Sequence, residues 1–133
     1  MIDKREIKFR AWLKKHKAMV TESDYYDATM VCNGDEFGIV MDHIWLKKNE
    51  FIIMQFTGLK DRNGVDAYFE DIVEYETTEG TRHKATLTWD NEMCCLMVGS
   101  MPYSQLYQSA FIQPSKLEFE IIGNLFQTPE LIK

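Results

Sequence analysis

Apolar and polar residues alternate with a period of two along most of this chain, the mark of half-buried β-strands. Ile7, Phe9, Ala11 and Leu13 take one face of the first run, and Lys8, Arg10, Trp12 and Lys14 take the other. His16 to Asp27 is polar and reads as a loop that holds the pair Tyr25-Tyr26. Thr29 to Cys32 predicts a short strand closed by Asn33-Gly34-Asp35. Phe37 to Ile44 predicts another, and the polar turn Lys47-Lys48-Asn49-Glu50 leads into Phe51 to Thr57. The strongest turn signal is Asn63-Gly64 after Asp61-Arg62, because Asn-Gly tolerates the positive φ of a tight hairpin and apolar runs flank it.

Tyr68 to Thr77 reads as a strand with Val73 and Tyr75 on one face and Glu74 and Glu76 on the other. After the turn Glu79-Gly80, Ala85, Leu87 and Trp89 share a face, backed by Thr86 and Thr88. Asp90-Asn91 turns the chain into Met93 to Val98, which is apolar on both faces and so predicts a central, buried strand. Ser100 to Gln113 changes period. Tyr103, Leu106, Tyr107 and Ala110 fall on one side of a helix, with Ser100 as cap and Pro102 in its first turn. Lys116 to Phe126 returns to alternation, with Leu117, Phe119 and Ile121 inward and Glu118 and Glu120 outward. The alternation shifts at Gly123, which predicts a bulge or a bend. Thr128-Pro129-Glu130 starts a small helix or a C-terminal turn. The expected fold is mainly β: antiparallel strands forming a small, partly open SH3-like barrel over about residues 66–127, with one or two short helices. The expected division is an N-terminal β subdomain at 1–65 and a barrel subdomain at 66–133.

Composition narrows the class. The 133 residues are 45% hydrophobic and 13% aromatic, values of a folded globule with enough chain to bury a core unaided. The start, MIDKREIKFR, lacks the apolar stretch of a secretory signal, and no run approaches a membrane span. Three cysteines, two adjacent, suit a reducing cytoplasm. The net charge of −6 hides a split: residues 1–20 carry seven Lys/Arg against Asp3 and Glu6 (+5), and the remainder carries eight against nineteen acids (−11). The acidic body disfavours wholesale binding of a nucleic-acid duplex.

Three segments carry a family resemblance. They are Arg5-Glu6-Ile7-Lys8-Phe9-Arg10-Ala11-Trp12, then Met54 to Gly64 running on to Asp71-Ile72-Val73, then Ile121 to Phe126 with Pro129-Glu130-Leu131. In this order they resemble the YopX-like phage and prophage proteins. The resemblance implies a phage or prophage protein acting in the bacterial host's cytoplasm, and it brings no catalytic residues with it. Its motif residues Gln55, Thr57, Gly58, Asp61, Asn63, Gly64, Asp71 and Gly123 have structural readings. Gly58 lets a strand end sharply, and the Asp61 and Asp71 carboxylates can bond nearby backbone. The family usually has Glu-Gly-Asp-Ile-Val where this chain has Phe69-Glu70-Asp71-Ile72-Val73. If that glycine serves a positive φ, Glu70 costs roughly 1 kcal/mol.

Candidate chemistry is sparse. Cys94-Cys95, on one strand, would point to opposite faces and could not share a ligand, so both read as buried apolar thiols. Cys32, His16, His43 and His83 stand apart from one another at no ligand spacing. No metal or other cofactor is expected, and the acids at Glu70-Asp71, Glu74/Glu76 and Asp90/Glu92 read as solvated. Trp12, Tyr25, Tyr26, Trp45, Tyr103 and Tyr107 could stack on bases but suit core or interface packing better. The leading expectation is an accessory protein without enzymatic activity that binds an unidentified host or phage protein and forms homo-oligomers. Aromatics, eight methionines and the opposed charges motivate it. The alternative is a nucleic-acid-binding regulator using Arg10, Trp12, Lys14 and Lys15. An enzyme would need Asp71, His83 and Asp90 to converge.

Overall fold

β1 (Phe9–Leu13) lies between two antiparallel neighbours, β2 (Ala18–Thr21) and the first half of β6 (Phe51–Lys60). The structure, a computed structural model, describes residues 6–21, 29–33, 36–41, 44–47, 49–76, 80–104 and 118–132. It divides into Met1–Gln55 and Phe56–Lys133, the boundary falling within β6. In the first unit Ala11, Leu13, Val20, Leu46 and Phe51 form a buried cluster, which covers the face predicted to be shared by Ala11 and Leu13. Ile7 lies before the strand begins and is exposed. Arg10, on the other face with Lys8 and Trp12, is not left to solvent. It is buried, with Nη2 3.6 Å from Sδ of Met54, its cross-strand partner, so its stem shares the cover of a core methionine.

The segment predicted as loop from His16 contains β2, reached through the exposed turn Lys14–Lys17, where Lys17 takes φ 50°. Pairing with β1 overrides its weak strand signal, a tertiary effect on local propensity. The strand predicted from Phe37 to Ile44 is two: β4 (Glu36–Met41) pairs with β3 (Thr29–Asn33) on one side and β5 (Ile44–Leu46) on the other. At the Lys47–Glu50 turn, Glu50 N–H donates to the Lys47 carbonyl (2.9 Å) and the Lys47 N–H to Glu50 Oε2 (2.8 Å).

The second unit begins with the other half of β6, which pairs with β7 (Asp66–Tyr68). Gly58 does not end the strand as predicted. Thr57-Gly58-Leu59 bulges against Ala67, with Gly58 at φ 92°, and pairing resumes at Lys60↔Asp66. Thr57 Oγ1 replaces the lost ladder bonds, donating to the Ala67 carbonyl (2.7 Å) and accepting from Leu59 N–H (3.1 Å). A five-stranded antiparallel sheet follows in the order β11-β10-β9-β8-β12, built from β8 (Asp71–Glu76), β9 (Arg82–Asp90), β10 (Cys95–Val98), β11 (Met101–Pro102) and β12 (Phe119–Asn124). The protein is mainly β and one sheet curls into a half-barrel, in keeping with the partly open barrel expected. Ala67, Val73, Ala85, Leu87, Val98 and Phe119 form the core of this unit, and Tyr103 packs against it. The short helix expected near the C-terminus is a 3-10 turn, Pro129–Ile132.

Two further expectations change. Met93 to Val98 is not a buried central strand: β10 starts at Cys95, Met93 is exposed, and only Val98 of the strand is buried. It is flanked by an edge strand of two residues, where Pro102 sits in β11 rather than in a helix's first turn. Most of the helix predicted at 100–113, with Leu106, Tyr107 and Ala110, lies outside the described residues, as do Tyr25 and Tyr26.

The strand predicted from Tyr68 to Thr77 is broken by a turn at Phe69-Glu70, where Glu70 takes φ 76°. This conformation aims its N–H at the Leu87 carbonyl (2.7 Å) and its carbonyl at Leu125 N–H (3.0 Å), tying β9 and the end of β12 to one residue. A side chain at this φ is strained, which gives a physical reason for the glycine of the family resembled above. Glu70→Gly is therefore expected to raise the unfolding free energy by about 1 kcal/mol, with an unchanged m-value in urea denaturation.

Candidate functional site

All the motif residues but Gln55 lie in the second unit, where Asp61, Asn63 and Gly64 form a joint. Asp61 opens the β6–β7 loop, is buried, and takes four residues into its bonding. Oδ1 accepts from Asn63 N–H and Val65 N–H (2.9 Å each), and Oδ2 accepts from Ile121 N–H of β12 (3.2 Å). The Asp61 carbonyl accepts from Gly64 N–H (2.9 Å), with Gly64 at φ 81°, and Arg62 N–H donates to the Phe119 carbonyl (2.9 Å). Asp71, 1% exposed, accepts from Tyr68 N–H through Oδ2 (2.8 Å) and so holds the turn that carries Glu70. Gly123 follows the register shift at Ile121/Gly123, beneath Thr128 and Leu131, and Gln55 is exposed opposite Phe9.

The four candidate nucleic-acid residues are not gathered on one solvent face. Arg10 is buried, Trp12 is half-buried two positions on, and Lys14 and Lys15 are exposed in the following turn. Nor do the residues required for an enzyme converge. Asp71 is committed to its turn, and His83 and Asp90 lie seven residues apart on β9, about 23 Å of strand. His83 is exposed and stacks on Tyr75, ring centroids 5.4 Å apart. Burial pushes the Tyr75 phenol above its usual pKa. Asp90 Oδ1 caps its own turn, accepting from Glu92 N–H (2.8 Å) and Met93 N–H (3.2 Å).

A polar cleft of about 140 Å³ opens beside Tyr75, lined by Arg62, Glu74, Glu76, Arg82 and Glu118. Both of its arginines are engaged in ion pairs: Arg82 pairs with Glu74 (2.9 Å) and approaches Glu76 (3.9 Å), and Arg62 pairs with Glu120 (3.0 Å). Such exposed pairs contribute little to stability. Among the described residues no group of three or more His, Cys, Asp or Glu could hold a metal ion, and no helix is long and apolar enough to cross a membrane.

The cysteines do not lie as the alternation implied. Cys94 closes the turn 91–94 at φ 52° and is exposed, while Cys95 opens β10 and is half-buried. Since Cys94 is outside the strand, the opposite-face argument does not apply to the pair. Nearby, the core face of β9 runs out to solvent. Trp89, on the face it was predicted to share with Ala85 and Leu87, is 48% exposed and rests edge-on against Phe69 (ring centroids 6.1 Å). Leu96 lies opposite Trp89, and Met101 opposite Val98 on the same face. Trp89 and Met101 thus lie on the core face of the sheet and are still exposed, and Met93 is exposed in the turn between β9 and β10. Alternation placed Trp89 on the right face, but only its position at the strand's end, beside Asp90-Asn91, signals exposure.

Residues 8–133 match the family described as YopX protein, nearly the whole chain. The chain belongs to the YopX family. Among solved structures, it is similar to the crystal structure of protein EF1440 from Enterococcus faecalis, with 22% identity, a TM-score of 0.61, and coverage of 98% of this chain and 100% of that one. It is also similar to the crystal structure of protein yopX from Bacillus subtilis, with 16% identity, a TM-score of 0.59, and coverage of 95% and 98%. At these identities the likeness concerns the fold. No curated protein matches the chain significantly. Within the YopX fold, the motif carried by Asp61, Asn63 and Gly64 is thus the joint between the β6–β7 loop and β12.

Proposed function

We propose that this YopX-family protein is a phage or prophage accessory protein, working in the bacterial cytoplasm, that acts by binding protein and self-associates. The observation that carries the reading is the exposure of Trp89 and Met101 on the core face of the sheet, by 48% and 39%, with Met93 exposed by 57% in the neighbouring turn. Aromatic and methionine side chains concentrate at protein interfaces, and a core face extended to solvent supplies apolar area that another chain can cover. The opposed charges of residues 1–20 (+5) and the remainder (−11) favour reciprocal contacts between copies.

Light scattering after size exclusion is the test. At micromolar concentration an oligomer is expected, and Trp89→Ser with Met101→Ser is expected to shift it toward monomer while the circular dichroism spectrum holds. A strict monomer would overturn self-association. Capture of the tagged protein from its host under nuclease treatment then separates the remaining readings. A stoichiometric protein supports binding, whereas partners stripped by nuclease would put the nucleic-acid reading in its place.

A further inference from the structure

We propose that the sulfur-bearing segment Met93-Cys94-Cys95-Leu96-Met97 holds a binding site for a soft monovalent metal ion, Cu(I) or Ag(I), with Cys95 Sγ and Met97 Sδ as ligands. The two residues are i and i+2 on β10, so both side chains leave the same face, the one opposite Leu96 and Val98. Their sulfurs are 3.9 Å apart. A metal–sulfur bond of about 2.3 Å placed on both atoms closes a triangle whose angle at the metal is roughly 115–120°. That is trigonal geometry, with one position left open to solvent or an added ligand.

The donor set selects the ion. A thiolate with a thioether is soft, which suits Cu(I) and its congeners, whereas zinc favours several thiolates or imidazoles together. No group of three His, Cys, Asp or Glu is present among the described residues to serve zinc. Cys95 and Met97 are both only partly buried, on the face opposite Leu96 and Val98, so the site does not lie within the core. Binding breaks the Cys95 S–H bond, forms an S–metal bond, and releases the proton to solvent with no change of oxidation state. Met97 donates a lone pair and loses nothing.

The test uses the full, reduced chain without oxygen. Cu(I), supplied as its acetonitrile complex, is titrated in competition with a weak chromophoric Cu(I) chelator. One Cu(I) per chain is expected, with an ultraviolet thiolate-to-copper band. Cys95→Ser is expected to abolish binding, and Met97→Leu, which conserves volume, to weaken it about tenfold. Cys94→Ser, which removes the exposed neighbouring thiol, is expected to leave the site intact. Thermal midpoints within a few degrees of the parent show that the variants fold. Failure to compete with the chelator, an unchanged affinity in Met97→Leu, or loss confined to Cys94→Ser would each overturn the proposal.

Discussion

Asp61→Ala is expected to lower the unfolding free energy by about 3 kcal/mol or more, the largest loss expected from any polar substitution in the second unit. The carboxylate receives three backbone N–H groups, two from its own loop and one from Ile121, sixty residues away. Hydrogen bonds to a charged acceptor are each worth about 1.5–3 kcal/mol, and the loss is tempered because loop donors can turn to water. Asp61→Asn separates the two jobs. Its single carbonyl oxygen can still serve Asn63 and Val65, but its amide NH₂ then faces the Ile121 N–H, donor against donor. About half the loss is expected, with faster amide exchange confined to Ile121 and its neighbours in β12. If alanine costs under about 1 kcal/mol, the carboxylate does not join the loop to the strand.

Gly123→Ala comes next, and here the cost is steric. A Cβ on Gly123 would overlap Thr128 Oγ1 and press on Leu131 Cδ1 at 3.0 Å. Thr128 is poorly placed to yield. Its Oγ1 accepts from Asn124 N–H (3.1 Å) and donates to the Asn124 carbonyl (3.2 Å), and its own N–H donates to that carbonyl (3.0 Å). Asn124 is itself buried, with Oδ1 accepting from Phe126 N–H (3.0 Å) and Gln127 N–H (2.9 Å). The methyl group therefore has to displace a bonded turn, and a loss of about 2 kcal/mol is expected in urea denaturation. The double variant Gly123→Ala with Thr128→Ala tests the cause. If Thr128 is the obstacle, the two losses do not add, and strict additivity would place the strain elsewhere.

These two residues mark how far sequence reasoning reaches. Asp61 was legible as a turn-bonding carboxylate because the bond to Asn63 N–H is local and recurs wherever Asx turns form. Its second oxygen was not legible, since nothing near Asp61 names Ile121. Gly123 was legible as a bulge, because the alternation of Phe119 and Ile121 breaks there. Its need to lack a side chain comes from Thr128 on the returning turn. Glu70 lies between the two. The glycine of the resembled family pointed to a positive φ, and the observed 76° agrees, while the partners Leu87 and Leu125 emerge only from the sheet.

By itself, then, the amino-acid sequence determined the β class, the faces of β8, the turns at Asp61–Gly64 and Asp90–Asn91, and membership of the YopX family. Each rests on side-chain alternation, on backbone conformations that few residues tolerate, or on hydrogen bonds that close within four residues. Only the tertiary structure decided that Arg10 is buried along Met54, that β2 forms where polar residues suggested a loop, that Cys94 leaves the strand, and that Trp89 stays in solvent. A residue's periodicity states which face it occupies. Whether that face is covered depends on chain segments distant in sequence, and burial is a property of those neighbours rather than of the residue.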